Sequence, residues 1–206
     1  MSDPAPTVFL VDDDTAVLKG LGRLLASVGI RFAAFDSPRE FLERFDPAMP
    51  GCLVLDVAMP GLNGLELQQA LAAKNSELPI VFLTGHGDIP MSVRAMKRGA
   101  ADFLTKPVDD EVLLAAIANA FERNRALQKA REELAQIEQR LASLTPRERE
   151  VLERVVTGRL NKQIGGELGT VEKTIKVHRA RVMEKMGART LAELISLAER
   201  AGIKIG

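Results

Sequence analysis

The chain contains no tryptophan and no tyrosine, a single cysteine and two histidines among 206 residues. Each shortage excludes something. One thiol, Cys52, can form neither an internal disulfide nor a multi-cysteine zinc site, and because it precedes an apolar run it is expected to serve as a small buried hydrophobe. With Phe121 the last of eight phenylalanines, the C-terminal third has no platform on which single-stranded bases could stack. The longest apolar run, Val112 to Ala118, is seven residues, far too short to cross a membrane. Asp3 and two early prolines stand where a secretory signal would carry basic and apolar residues, so a soluble cytoplasmic protein is expected. What the chain does have, 46% hydrophobic and 27% charged residues, suffices for a core, and its length suits one full domain plus a smaller one.

Net charge is also absent, but only in sum. Residues 1–122 carry −7, residues 123–142 carry +2 and residues 143–206 carry +5. The acidic part suggests cation chemistry and the basic part a polyanion.

Apolar runs recur from Thr7 to Val11, Arg31 to Phe35, Cys52 to Leu55, Pro79 to Leu83 and Asp102 to Leu104, separated by stretches with helical spacing. Five such alternations over residues 5–121 predict an α/β domain with a parallel sheet covered on both faces, and if that sheet is flavodoxin-like its strand order is 2-1-3-4-5. Ser37-Pro38-Arg39-Glu40 matches a capping box, and Asp14 suits a cap for a helix beginning near Ala16. From Asp110 no Gly or Pro intervenes until Pro146, which predicts one long helix whose segment 122–142 links the domains. Leu113, Ala120, Leu127, Leu134 and Leu141 recur every seven residues, with Ala130, Ile137 and Leu144 three places after the last three of these. Leu113 to Ala120 is expected to pack on its own domain; beyond Leu127, intramolecular packing and a dimeric coiled coil both remain open.

Residues 143–206 predict an all-α domain of four short helices containing a helix-turn-helix. Thr145-Pro146-Arg147-Glu148 and Thr190-Leu191-Ala192-Glu193 match capping boxes, and Gly158, Gly169, Gly187 and Gly202 fall where helices should stop.

Asp12, Asp13 and Asp14 follow the first strand and Asp56 follows the third. In the predicted order these two strands are neighbours, so their carboxyl ends share a crevice. Crowded carboxylates repel and raise one another's pKa, and a hard divalent cation with oxygen ligands relieves this; magnesium fits, with manganese as an alternative. Thr84, at the end of the fourth strand, and Lys106, after the fifth, sit at the same edge. Carboxylate, metal, hydroxyl and ammonium are the parts needed to hold a phosphoryl group, with one Asp as nucleophile. His86, between glycines, is expected to be exposed or gating rather than catalytic.

The runs Val11-Asp12-Asp13-Asp14, Asp56-Val57-Ala58-Met59-Pro60-Gly61, Leu83-Thr84-Gly85-His86-Gly87 and Lys106-Pro107 resemble the receiver domain of two-component response regulators. The resemblance implies that Asp56 accepts a phosphoryl group from a histidine kinase. It implies that Asp12, Asp13, Asp56 and the Ala58 carbonyl bind magnesium and that Lys106 contacts the acyl phosphate. Thr84 and Phe103, at the position of the family's switch aromatic, would then move inward. Two departures stand out: Ala58 is small where many receivers are polar, and Phe103 lacks the hydroxyl of the commoner Tyr.

In the last domain Thr170 suits a cap for a helix from Val171 to Met186. Ile175, His178, Val182 and Met186 fall on one face, assigned to the core. Lys173, Thr174, Lys176, Val177 and Arg181 lie on or beside the other, which by charge alone fits either an ordinary solvated face or a DNA major groove. Asn161 and Lys162, before the preceding helix, could contact phosphates. Leu144-Thr145-Pro146-Arg147-Glu148, Asn161-Lys162-Gln163-Ile164, Thr174-Ile175-Lys176-Val177-His178 and Lys185-Met186-Gly187 resemble the LuxR-type helix-turn-helix. Receiver followed by this module resembles FixJ/NarL-type response regulators, with residues 83–90 closest to the FixJ branch. That resemblance implies a transcription regulator that dimerises on phosphorylation and binds paired half-sites on double-stranded DNA. The rivals are a magnesium-dependent phosphohydrolase of the haloacid dehalogenase kind, disfavoured because Ala58 stands where its second Asp belongs, and a receiver with an RNA- or protein-binding output.

Overall fold

A computed structural model describes residues 5–47, 49–85 and 89–203, which fall into two compact units, one up to residue 128 and one from residue 129. The first unit contains five parallel strands, β1 (Thr7–Val11), β2 (Arg31–Phe35), β3 (Gly51–Asp56), β4 (Ile80–Thr84) and β5 (Asp102–Thr105), in the order β2-β1-β3-β4-β5. Helices α1 (Thr15–Ser27), α2 (Pro38–Arg44), α3 (Gly64–Ala73), α4 (Ile89–Lys97) and the long α5 (Asp110–Ala142) connect or follow them. The flavodoxin-like order expected from the sequence is the one found.

The three central strands are buried from end to end, as parallel strands covered on both faces must be. Successive side chains go to opposite faces. Phe9, Val11, Leu53, Leu55 and Phe82 join Phe41, Leu67 and Leu71 in one cluster, while Val8, Leu10, Val54, Val81 and Leu83 join Leu25, Leu113, Ile117 and Ala120 in the other. Cys52 belongs to the second cluster and is fully buried, which pushes its thiol pKa up to about 12 and leaves it the inert hydrophobe expected.

Strand ends differ from the sequence expectation in a way that concerns function. Strand β3 extends through Asp56, so that residue is the last of its strand, in register with Leu83. Strand β4 begins after Pro79, which has no N–H for the ladder, although its carbonyl accepts from the Leu53 N–H at 2.9 Å. It ends at Thr84, opposite Thr105 of β5.

The second unit holds α6 (Pro146–Val156), α7 (Asn161–Glu167), α8 (Glu172–Met186) and α9 (Leu191–Arg200) around Val151, Leu152, Val155, Ile164, Ile175, Val182 and Leu194. Thr145 and Glu148 form the complete capping box of α6. At the other two expected boxes the hydroxyl caps as predicted, but Glu40 also pairs with Arg44 and the Glu193 carboxylate takes the Arg189 N–H at 2.7 Å. The four glycines expected to end helices all have left-handed backbone, φ between 62° and 79°.

One sequence expectation requires correction here. Val171, not Thr170, caps α8, because the Thr170 N–H donates to the Gly165 carbonyl at 2.9 Å and holds that residue in the turn. The start of the heptad stripe packs on its own domain as expected. Leu113 and Ala120 pack in the first unit, Ile137 and Leu141 are buried in the second unit's core, and only the middle residues Ala130 and Leu134 stand exposed.

Candidate functional site

The carboxyl ends of β1, β3, β4 and β5 converge on a cleft of about 360 Å³. Asp12 and Asp13 follow β1, Asp56 and Thr84 end β3 and β4, and Lys106 follows β5; all five line the cleft, together with Ala58. Asp12, Asp56 and Thr84 are 3%, 5% and 2% exposed, whereas Asp13 is open to solvent. Carboxylate oxygens of Asp12, Asp13 and Asp56 lie within 4.8 Å of one another.

Lys106 holds this group together. Its Nζ donates to Asp12 Oδ2 at 2.6 Å and pairs with Asp56 Oδ1 at 2.9 Å. The second oxygens are also engaged: Asp12 Oδ1 accepts from the Asp14 N–H at 2.9 Å and Asp56 Oδ2 from the Ala58 N–H at 3.0 Å. Burial raises the Asp12 pKa above its ordinary 3.8 against the opposing pull of Lys106. Burial also works against the Lys106 ammonium, but its hydrogen bonds and charge interactions with Asp12 and Asp56 outweigh that and hold its pKa above 10.5. Three carboxylates against one ammonium leave an excess of negative charge, and an all-oxygen donor set this close together can hold a hard divalent metal ion.

Asp14 lines the same cleft, but its carboxylate caps α1 by accepting the Ala16 N–H at 2.8 Å, as expected. Phe103 is not part of the cleft; it is half-buried, with its ring 6.0 Å from that of Phe82. His86 lies outside the described residues. Met91, at the start of α4, lines the cleft and was not singled out by the sequence.

In the second unit, α8 buries Ile175, Val182 and Met186 and leaves Lys173, Lys176, Val177 and Arg181 exposed, with Thr174 half-buried. Lys176 is tied to Glu172 one turn earlier at 3.0 Å. His178 is half-buried, and its Nδ1 is enclosed without a hydrogen-bond partner among the described residues, as suits a packing residue. Asn161 and Lys162 stand in the first turn of α7 rather than before it. Leu160 caps that helix, and its N–H is satisfied by Gln163 Oε1 at 2.8 Å.

Sequence reasoning missed two tertiary pairs in this unit. Arg179 Nη1 of α8 donates to Asn161 Oδ1 of α7 at 3.3 Å. Lys185 Nζ lies 2.6 Å from Glu148 Oε2 and 3.0 Å from the Ser143 carbonyl. The Lys185 hydrogen bond, together with the Thr145 N–H, pulls the buried Glu148 carboxyl down to about 2. The capping-box spacing identified Glu148 as a helix-start residue; its partner 37 positions away carries no local signal.

Comparison with known proteins assigns a family to each of the two units. The response regulator receiver domain matches residues 8–118, and the luxR family of bacterial regulatory proteins matches residues 142–198. Nodulation protein W of Bradyrhizobium diazoefficiens is 49% identical over 196 residues, 95% of this chain and 86% of that one. The transcriptional regulatory protein FixJ of the same organism is 44% identical, over 95% of this chain and 96% of its own. Among solved structures, the response regulator StyR is 50% identical over 96% of this chain and all of that one, with a TM-score of 0.85. Full-length FixJ from B. japonicum is 43% identical over 97% and 98%, with a TM-score of 0.59. The chain belongs to the two-component response regulators of FixJ/NarL type, regulators of transcription in which a receiver is joined to a LuxR-type DNA-binding module.

Proposed function

We propose that Asp56 is the phosphoacceptor of this regulator, within a receiver spanning residues 5–121, and that residues 143–206 read duplex DNA, the segment 122–142 joining them. The observation that carries the reading is the Asp56 carboxylate at the end of β3, 2.9 Å from the Lys106 ammonium and beside Asp12 and Asp13. The carboxylate attacks the phosphorus of a kinase phosphohistidine, the P–N bond breaks, the imidazole departs with its electron pair, and an aspartyl phosphate remains. Lys106 then exchanges part of its contact with Asp12 and Asp56 for the new phosphoryl oxygens.

The acidic cluster fits magnesium, with manganese as a substitute; Asp12, Asp13, Asp56 and the Ala58 carbonyl would hold it. When bound, the ion offsets charge on the phosphoryl oxygens. Thr84, buried on the cleft wall, donates to the phosphoryl group, and Phe103 moves inward against Phe82 as Thr84 shifts. With Ala58 two residues past Asp56, no side chain there is placed to activate water, which favours signalling over turnover.

Receivers so altered pair as a homodimer, and two modules occupy paired half-sites on cytoplasmic DNA. Lys173, Thr174, Lys176, Val177 and Arg181 meet the major groove, and Asn161 and Lys162 meet phosphates. Acetyl phosphate with magnesium should label the wild type and leave Asp56→Asn unlabelled although folded; labelling of that variant would reject the assignment. A gel shift competing duplex DNA with RNA separates this output from an RNA-binding one.

A further inference from the structure

We infer that Arg179 is a positioning residue for DNA binding, holding the Asn161 side-chain amide in the one orientation that presents its NH2 group to a backbone phosphate. The inference rests on the reading that residues 143–206 bind duplex DNA. It starts from the hydrogen bond that joins the two helices of the helix-turn-helix, Arg179 Nη1 to Asn161 Oδ1 at 3.3 Å.

A guanidinium can only donate, whereas an amide has one oxygen that accepts and one nitrogen that donates twice. Arg179 therefore selects the oxygen of Asn161 and leaves the nitrogen for another partner. A DNA phosphate accepts hydrogen bonds and carries negative charge, so the nitrogen suits it and the oxygen is repelled by it. Without Arg179 the amide is free to turn by half a revolution and offer the wrong atom.

The frame around the pair is fixed. Asn161 opens α7, and both it and Arg179 are half-buried. Helix α7 approaches the turn before α8 so closely at Gly165 that a Cβ there would lie 2.8 Å from the Thr170 carbonyl oxygen. Two helices held at that distance present the amide from an ordered position, so little freedom is lost when DNA binds.

The test uses full-length phosphorylated protein and a duplex it selects from a random pool, with single phosphates replaced by uncharged methylphosphonates. One phosphate should matter to the wild type and become silent in Asn161→Ala, with about a ten-fold loss of affinity. The same phosphate should become silent in Arg179→Ala, although Asn161 is still present, and Arg179→Lys should restore part of its effect. Asn161→Asp, which keeps an acceptor for Arg179 but turns a carboxylate toward the phosphate, should bind more weakly than Asn161→Ala.

If Arg179→Ala silences a different phosphate, the arginine touches DNA itself and the positioning role is wrong. A uniform loss across all phosphates with a lowered melting temperature reduces Arg179 to a structural brace and overturns the inference. If no phosphate falls silent in Asn161→Ala, that residue is no phosphate contact and the inference fails at its base. Recovery of no duplex by the wild type would reject the DNA-binding reading itself, a distinguishable failure.

Discussion

The ammonium of Lys106 bridges two buried carboxylates, 2.6 Å from Asp12 and 2.9 Å from Asp56, and so links the ends of β1, β3 and β5 at one point. Removing it leaves Asp12 and Asp56 facing each other without a cation. Lys106→Met should therefore destabilise the metal-free receiver by about 3 kcal/mol. Denaturant unfolding with and without magnesium checks this, and added magnesium should recover part of the loss.

Asp12 behaves oppositely. Burial raises its folded pKa above 3.8, so the stability it contributes is fully present below pH 3.8 and is lost as pH rises through the raised folded value. At neutral pH and without metal, Asp12→Asn should raise the melting temperature while abolishing any further rise on adding magnesium. A variant that melts lower than wild type in chelator would contradict this account of the cleft.

In the second unit the pH dependence has the other sign. The Glu148 pKa, about 2 when folded against an ordinary 4.5, means that the stability from its pair with Lys185 is intact above pH 4.5 and drains as pH falls from there toward 2. Lys185→Met should destabilise residues 129–206 by roughly 1–3 kcal/mol at pH 7, moderated because the lysine is partly exposed, and should flatten the acid limb of the unfolding curve.

Two adjacent glycines of α7 should respond in opposite directions. A Cβ at Gly166 would meet nothing within 4 Å, so Gly166→Ala should stabilise by about 1 kcal/mol through helix propensity. At Gly165 the Cβ would press on the Thr170 carbonyl at 2.8 Å, and Gly165→Ala should destabilise. Thermal melts of the two variants decide it; matching shifts would mean that α7 and the turn are not in close contact.

Much of this was legible along the chain. The alternation of five apolar runs with helical stretches determined the sheet, because buried parallel strands cannot hide polar residues. Asp12, Asp13, Asp56, Thr84 and Lys106 were recognisable because each follows or ends a strand, and the strand order alone brings those ends together. The heptad at Leu113, Ala120 and Leu141 was visible as a period, yet period does not say which surface each residue meets, and two separate cores claimed its ends. Thr170 had the right chemistry for a cap but was held elsewhere by its own backbone hydrogen bond to Gly165. The pairs Arg179 with Asn161 and Lys185 with Glu148 join residues 18 and 37 positions apart, and no local pattern announces such contacts.

On the exposed side of α8, Lys176→Ala and Arg181→Ala should each reduce the slope of log affinity against log salt by about one if they meet phosphates, or cost roughly 1–3 kcal/mol and relax sequence preference if they meet bases. Glu172→Ala, which releases Lys176 from its 3.0 Å partner, should tighten binding. Titrations at several salt concentrations distinguish these outcomes.

The most direct measurement of the whole account is the affinity for a selected duplex before and after treatment with acetyl phosphate and magnesium, in wild type and in Asp56→Asn. Wild-type affinity should rise about 5- to 150-fold, the range of a coupling of roughly 1–3 kcal/mol, and the variant should not change. Equal affinity in treated and untreated wild type, or an equal rise in the variant, would contradict the coupling between Asp56 and the DNA-binding module.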